Sequence, residues 1–242
     1  MDMSPFMPRF LIACSAIALL VIGFAAPAAA GCKDHPGPNI DWSGCIKTKL
    51  LLSGEDFQGA KLVGTDLSFS DFSGSDLSGA DISGAMMMRV LLVEAKLAGA
   101  NLSKTMFDRA DLSKADLSGA KAQKVELHRA NLSSANLANA DLSKAEMGRA
   151  QLADADLTNT NLQRAYMARA DLRTAKLAGT DLTDAELYLS DLRGADLSAV
   201  KGLVSDQLKN TCGDAATKLP AGVMPPAEWP CVRSDEEEEE EE

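Results

Sequence analysis

The chain has little of what enzymes use. Its 242 residues include two histidines, His35 and His128, two tryptophans and two tyrosines, and aromatic residues make up 5% of the whole. No Ser-His-Asp set, glycine-rich phosphate loop or zinc-ligand spacing occurs. Hydrolytic, phosphoryl-transfer and metal chemistry therefore have no residues to stand on. The chain reads as non-enzymatic, with no cofactor and no catalytic, cofactor-binding or metal site. It also lacks a helix period and a strand period over most of its length. One apolar run, Phe10 to Phe24, stands apart from the rest.

A period of five takes their place. Every fifth residue from Phe57 to Leu197 is apolar, at 29 consecutive positions, 21 of them leucine. With 46% apolar residues overall, chance would produce this on the order of 10⁻¹⁰ of the time. Two residues earlier stands a small residue, alanine in 19 of the 29 cases, and the residue between is usually Asp or Asn. A five-residue step rotates a helical stripe by about 140°, so no helix face stays apolar. On a flat strand an odd step alternates faces. The pattern works if about three residues are extended and the next two turn. The small and large apolar residues then point inward, the Asp or Asn points out, and Ser-Gly, Ser-Lys or Thr-Asn makes the corner.

A second period of twenty sets the size of a coil. Gly59, Gly79, Gly99, Gly119, Asn139, Asn159 and Gly179 form one column, in which a left-handed corner is expected. Arg89, Arg109, Arg129, Arg149 and Arg169 form a second, and Lys104, Lys124, Lys144 and Arg164 a third. Twenty residues are four pentapeptides, hence a four-sided tube, about 35 Å long at strand-like stacking. One axial column, Met87, Phe107, Leu127, Met147, Met167 and Leu187, is bulky, which predicts a locally wider core. The alternative is an outward apolar contact patch of Met86, Met106 and Tyr166.

Ala115-Asp-Leu-Ser-Gly119, Ala130-Asn-Leu-Ser-Ser134 and Ala155-Asp-Leu-Thr-Asn159 resemble the pentapeptide-repeat proteins. The resemblance implies an all-β fold, a right-handed quadrilateral β-helix, here of about seven coils with disulfide-closed end caps. It implies little about function. The best-understood members of the family mimic DNA and bind gyrase.

The flanks divide the chain further. Residues 1–30 read as a secretory signal peptide, with Arg9, the apolar run and Ala28-Ala29-Ala30 as cleavage site. A periplasmic or secreted bacterial protein follows. Membrane attachment is expected only if that segment is uncleaved or Cys32 is lipidated. Residues 31–52 read as an N-terminal cap, with Trp42 laid over the first coil, and 53–199 as the helix proper. Residues 200–232 read as a C-terminal cap with a short helix, Val204 to Lys209, capped by Ser205 and seated by Leu203 and Leu208. Residues 233–242 include eight successive acids, Asp235 to Glu242, expected to be disordered. Outside the leader stand Cys32, Cys45, Cys212 and Cys231. The close pairs flank opposite ends of the rod, and a disulfide needs Cα atoms within about 7 Å, so Cys32–Cys45 and Cys212–Cys231 are the expected bonds.

The formal charge is −11, but eight of the acids lie in the terminal run, which leaves the remainder nearly neutral. DNA mimicry needs a dominantly acidic surface, and the rod carries basic columns. The leading reading is a structural or protein-interaction scaffold of the cell envelope, with cytoplasmic gyrase binding as the alternative. The two basic columns are the expected interaction face, and nucleic acid is not an expected partner. An unidentified protein or anionic envelope component, the chain's own Glu236–Glu242, or a second copy in a homodimer are the partners considered. Local pairing with Asp108, Glu126, Glu146 and Glu186 is the alternative to docking.

Overall fold

The computed structural model describes residues 31–231; the expected leader and the acidic run lie outside them. Parallel single-residue bridges join Asp41 to Lys61, Ile46 to Asp66, and so on without a gap to Asp181 with Lys201. Every one of these spans twenty residues. Backbone bonds run both ways along the stack. Asp111 donates its N–H to Val90 O at 2.9 Å, and Leu112 donates to Asn131 O at 2.7 Å. Each coil thus satisfies the polar backbone of its neighbours, and the chain winds into a β-solenoid. Pairing already begins at Asp41, inside the stretch read as the N-terminal cap.

Between bridges the chain turns. Ala115 donates to Leu112 O at 3.1 Å across a four-residue turn whose third residue, Lys114, has φ 58°. A positive φ there is the type II pattern. The left-handed corner was expected in the glycine column, yet the structure places it in all the corner columns. Arg89, Arg109, Arg129, Arg149 and Arg169 have φ between 53° and 61°, and Lys104, Lys124, Lys144 and Arg164 between 58° and 60°. Turn geometry is imposed by the chain having to turn every five residues, whatever residue stands at the corner.

The outward Asp and Asn residues are accounted for locally. Ser78 donates its N–H to Asp76 Oδ1 at 3.0 Å, and Ser133 to Asn131 Oδ1 at 3.1 Å. These are Asx turns, which pin the start of the corner. Asn also relieves stacking of like charges: Asn131 Nδ2 donates to Asp111 Oδ1 one coil away at 3.1 Å.

The core is the axis. The fifth-position residues and the alanines two before them are almost wholly buried, Phe107 and Leu137 at 0% exposure. Where Thr replaces Ala it remains buried and finds a partner in the preceding coil. Thr105 Oγ1 donates to Ile82 O at 2.8 Å and Thr160 Oγ1 to Leu137 O at 2.8 Å. Met87, Phe107, Met147 and Met167 fill the axis as the bulky column predicts, while Met86 and Met106 are half-buried and Tyr166 is exposed.

Trp42 packs on the first coil from an axial position, 1% exposed and edge-on to Phe57 at 5.5 Å. Lys47 Nζ lies 4.2 Å from the Trp42 ring centroid. Both expected disulfides are present, Cys32–Cys45 and Cys212–Cys231. The short helix is a 3-10 turn, Ser205–Leu208, and Ser205 does not cap it. Val204 is the N-cap, its N–H donated to Gln207 Oε1 at 2.8 Å, while Ser205 Oγ accepts from Met224 N–H at 2.9 Å. Ser205 is the first residue inside the turn, one place past the N-cap, and its hydroxyl is taken up by Met224. Leu203 and Leu208 are buried against the last coil.

Two glycines separate the roles of backbone and space. A Cβ at Gly119, φ 64°, would meet nothing within 4 Å, so Gly119→Ala should cost only the left-handed penalty, about 1 kcal/mol. A Cβ at Gly202, φ 70°, would come within 2.8 Å of the Thr183 backbone. Gly202→Ala should therefore cost about 3 kcal/mol. Denaturant midpoints of the two variants check the difference, and equal losses would refute it.

Candidate functional site

The basic columns stand on neighbouring corners, five residues apart in the chain, and flank a single side of the rod. Arg109 N–H bonds His128 O at 2.9 Å, Arg129 N–H bonds Gly148 O at 3.0 Å, and Arg149 N–H bonds Ala168 O at 2.9 Å. The arginines therefore rise one coil at a time, about 4.8 Å apart. In the five turns 84–89, 104–109, 124–129, 144–149 and 164–169 stand nine basic residues against three acids, Asp108, Glu126 and Glu146. The stretches between them, 90–103, 110–123, 130–143 and 150–163, reverse this, with three lysines against six acids. Positive charge is thus sorted onto one side.

Local compensation of that charge is sparse. Among the described residues no ion pair forms to Arg89, Arg109, Arg129, Arg149 or Arg169, nor to Lys104, Lys124 or Lys144. Arg164 alone pairs, with Asp184 at 3.5 Å. Glu146 faces His128 Nε2 at 3.4 Å instead of an arginine. Arg89 lies over the Phe69 ring, 5.9 Å from its centroid. Among the described residues two buried side-chain oxygens, Ser68 Oγ and Asp108 Oδ1, find no hydrogen-bond partner.

A hollow of about 370 Å³ opens along the arginine column, lined by His128, Arg129, Gly148, Arg149, Tyr166, Ala168 and Arg169. It exists because the residue before the arginine corner shrinks from His128 to Gly148 and Ala168. A Cβ at Gly148 would sit 3.0 Å from Tyr166 Cε1 and 3.1 Å from His128 Nδ1. A second hollow, about 490 Å³, continues from Arg169 to the C-terminal cap and is lined also by Leu189, Asn210, Thr211, Cys212, Glu228 and Cys231. The hollows were not legible in the sequence, although the small residues at 148 and 168, in register with His128, were the available signal. Among the described residues no cluster of three or more His, Cys, Asp or Glu is placed to hold a metal ion.

Bulky residues in the left-handed region cost about 1–2 kcal/mol each. That cost falls on every non-glycine corner of the rod, Glu94, Lys114 and Asp154 included, so what sets the arginine column apart is its charge. Two unit charges about 5 Å apart in water also repel by about 0.8 kcal/mol.

The carboxylates of the other sides are stabilised as anions. The Ser73 hydroxyl and backbone N–H hold Asp71 below the usual carboxylate range, and Thr158 and Thr183 do the same for Asp156 and Asp181. Asp196 is lowered to about 2, chiefly by a hydrogen bond from Lys218. A depressed folded pKa stabilises the fold above the unfolded value, near 4, and that contribution is lost as pH falls toward the folded value. Stability should be flat from about pH 8 to 5 and fall progressively below about pH 4, as denaturant titrations at each pH would show. An unchanged midpoint at pH 2.5 would contradict it.

Pentapeptide repeats match the chain in eight copies, with matched stretches running from residue 52 to 201. Among solved structures, HetL, a pentapeptide repeat protein involved in heterocyst differentiation regulation from the cyanobacterium Nostoc sp. strain PCC 7120, is 27% identical. The match covers 74% of this chain and 86% of HetL, with a TM-score of 0.50. Full-length QnrB1, a plasmid-mediated fluoroquinolone resistance protein, is 19% identical over 74% of this chain and 91% of its own, with a TM-score of 0.62. That likeness is one of fold. No curated protein sequence matches the chain. With repeats matching more than half its length and bridges every twenty residues, the chain belongs to the pentapeptide-repeat family, whose members fold as right-handed β-helices.

Proposed function

We propose that the protein is a non-enzymatic interaction scaffold of the bacterial cell envelope, which docks an acidic protein partner on its basic side. The rod is four-sided, with about seven coils over 53–199 between the two disulfide-bearing ends. The observation that carries the docking reading is the arginine column: five guanidinium groups in left-handed corners, none ion-paired among the described residues. Self-repulsion disfavours such a column unless an anion offsets it. Export rests on the pattern of residues 1–30, with a mature chain starting after Ala30. The absence of any residue set suited to catalysis supports a binding role over an enzymatic one.

Binding to an acidic protein bait, measured at low and high salt, tests this. Affinity should fall by at least tenfold between the two, because the contacts are exposed and screened. It should vanish in the triple variant Arg109→Glu, Arg129→Glu, Arg149→Glu. Equal binding by both proteins would leave the column as solvated structure. Self-association that responds to the same variant would assign the side to a homodimer. Gyrase supercoiling should be unaffected by the chain, since a basic side is the wrong sign for a DNA mimic; inhibition would favour the cytoplasmic gyrase-binding alternative.

A further inference from the structure

The second hollow joins two features that lie far apart in sequence. Arg169, the last arginine of the column, and Cys231, the last described residue, line the same space. Arg169 also lines the first hollow, with Arg129 and Arg149. Cys231, the last described residue, therefore lies at the head of the basic side. Cys231 is held there twice, by the bond to Cys212 and by its N–H to Gly213 O at 3.2 Å.

We propose that the occupant of the two hollows is the chain's own acidic run, Asp235 to Glu242, laid along the arginine column. The proposal rests on the basic side being a docking surface and names what fills it before a partner arrives. Lengths agree. From Arg169 the corner column continues through Leu189 to Asn210, two further coils, a rise of about 10 Å. Val232, Arg233 and Ser234 span about the same distance when extended. The next eight residues, all acidic, reach about 26 Å, and the column from Arg169 to Arg89 covers about 19 Å. Charges agree as well. The run is opposed on that side by Asp108, Glu126, Glu146, Asp184, Glu186 and Glu228, but the five turns between 84 and 169 on that side carry nine basic residues against three acids.

Docking in cis needs no strong single contact. Exposed ion pairs are weak individually, yet a tethered segment works at a high effective concentration. The side would then be shielded until an acidic partner competes for the same guanidinium groups. Leu189, 37% exposed in the second hollow, offers an apolar neighbour for Val232 at the start of the path.

Zero-length carbodiimide cross-linking of the purified, disulfide-intact chain tests this, because it joins carboxylates only to amines in contact. Lys104, Lys124 and Lys144 flank the arginines and serve as reporters. Peptide mapping should show Glu236–Glu242 joined to these three at least fivefold more often than to Lys61, Lys96 or Lys176 on other sides. The preference should survive dilution and disappear at high salt and in Arg109→Gln, Arg129→Gln, Arg149→Gln. Tail cross-links spread evenly over all lysines, or found only between copies in an isotope-mixed sample, would overturn it. A second measurement separates this inference from the docking reading itself. The chain ending at Ser234 should bind an octaglutamate peptide at least tenfold more tightly than the full chain. Equal, measurable binding by both would sink the tail's role and leave the docking surface standing; no binding by either would remove the surface too.

Discussion

Phe107→Ala should destabilise the rod by about 3–5 kcal/mol, and should do so locally. Phe107 is fully buried on the axis, between Met87 one coil before and Leu127 one coil after. Removing its ring leaves a hole that neither neighbour can fill, because each is anchored by backbone bonds to coils on both sides. Met87 N–H bonds Met106 O at 2.8 Å, and Phe107 N–H bonds Glu126 O at 2.7 Å. In a solenoid each coil contacts only its neighbours, so the loss weakens the coils around residues 87–127 rather than the whole molecule. Amide exchange should accelerate there most, ahead of the region beyond residue 160. Met147→Leu, which keeps the volume, should cost less than about 1.5 kcal/mol. A uniform rise in exchange along the rod would show that the coils unfold only as one unit.

Removing the C-terminal disulfide, with Cys212→Ser and Cys231→Ser together, should cost about 2–4 kcal/mol and expose the end of the rod. The bond closes a loop over the last coil, and the loop brings Trp229 against Gly213. Trp229 Nε1–H donates to Thr211 O at 2.9 Å, and a Cβ on Gly213 would fall 2.4 Å from the indole ring. Without the bond this lid is held by packing of Leu219, Val223 and Trp229 on the core and by hydrogen bonds from Met224 N–H to Ser205 Oγ and from Cys231 N–H to Gly213 O. An opened end presents unpaired backbone and the apolar residues Leu197, Leu203 and Leu208, the condition in which solenoids stack end to end. The variant should therefore show both a lower denaturant midpoint and concentration-dependent self-association. Intact mass of the wild-type chain under non-reducing conditions should be four hydrogens below the all-thiol form. An unchanged midpoint with no association would mean that the cap holds without its covalent bond.

Much of this protein was determined by sequence alone. A five-residue apolar period excludes helix and flat strand, and twenty-residue columns set the coil; both follow from geometry, because inward positions must recur in phase with the turns. The cysteine pairs followed for the same reason, since a rod keeps its ends apart. What the columns do at the corners was decided by the tertiary structure. Nothing in Arg109 or Lys124 favours a positive φ, yet both adopt it, because bonding to the coils above and below outweighs the local preference of any one residue. That the five arginines of the column carry no ion pair among the described residues was equally out of reach. Glu126, Glu146 and Glu186 stand at the right spacing to neutralise the arginines, but among the described residues none pairs with one, and Glu146 faces His128. Trp42 and the 3-10 turn at Ser205–Leu208 follow the same rule, each placed by what the neighbouring coil leaves open. The convergence of Arg169 with Cys231, 62 residues apart in the chain, exists only once the coils are stacked, because the winding brings the last described residue back to the column that Arg89 begins.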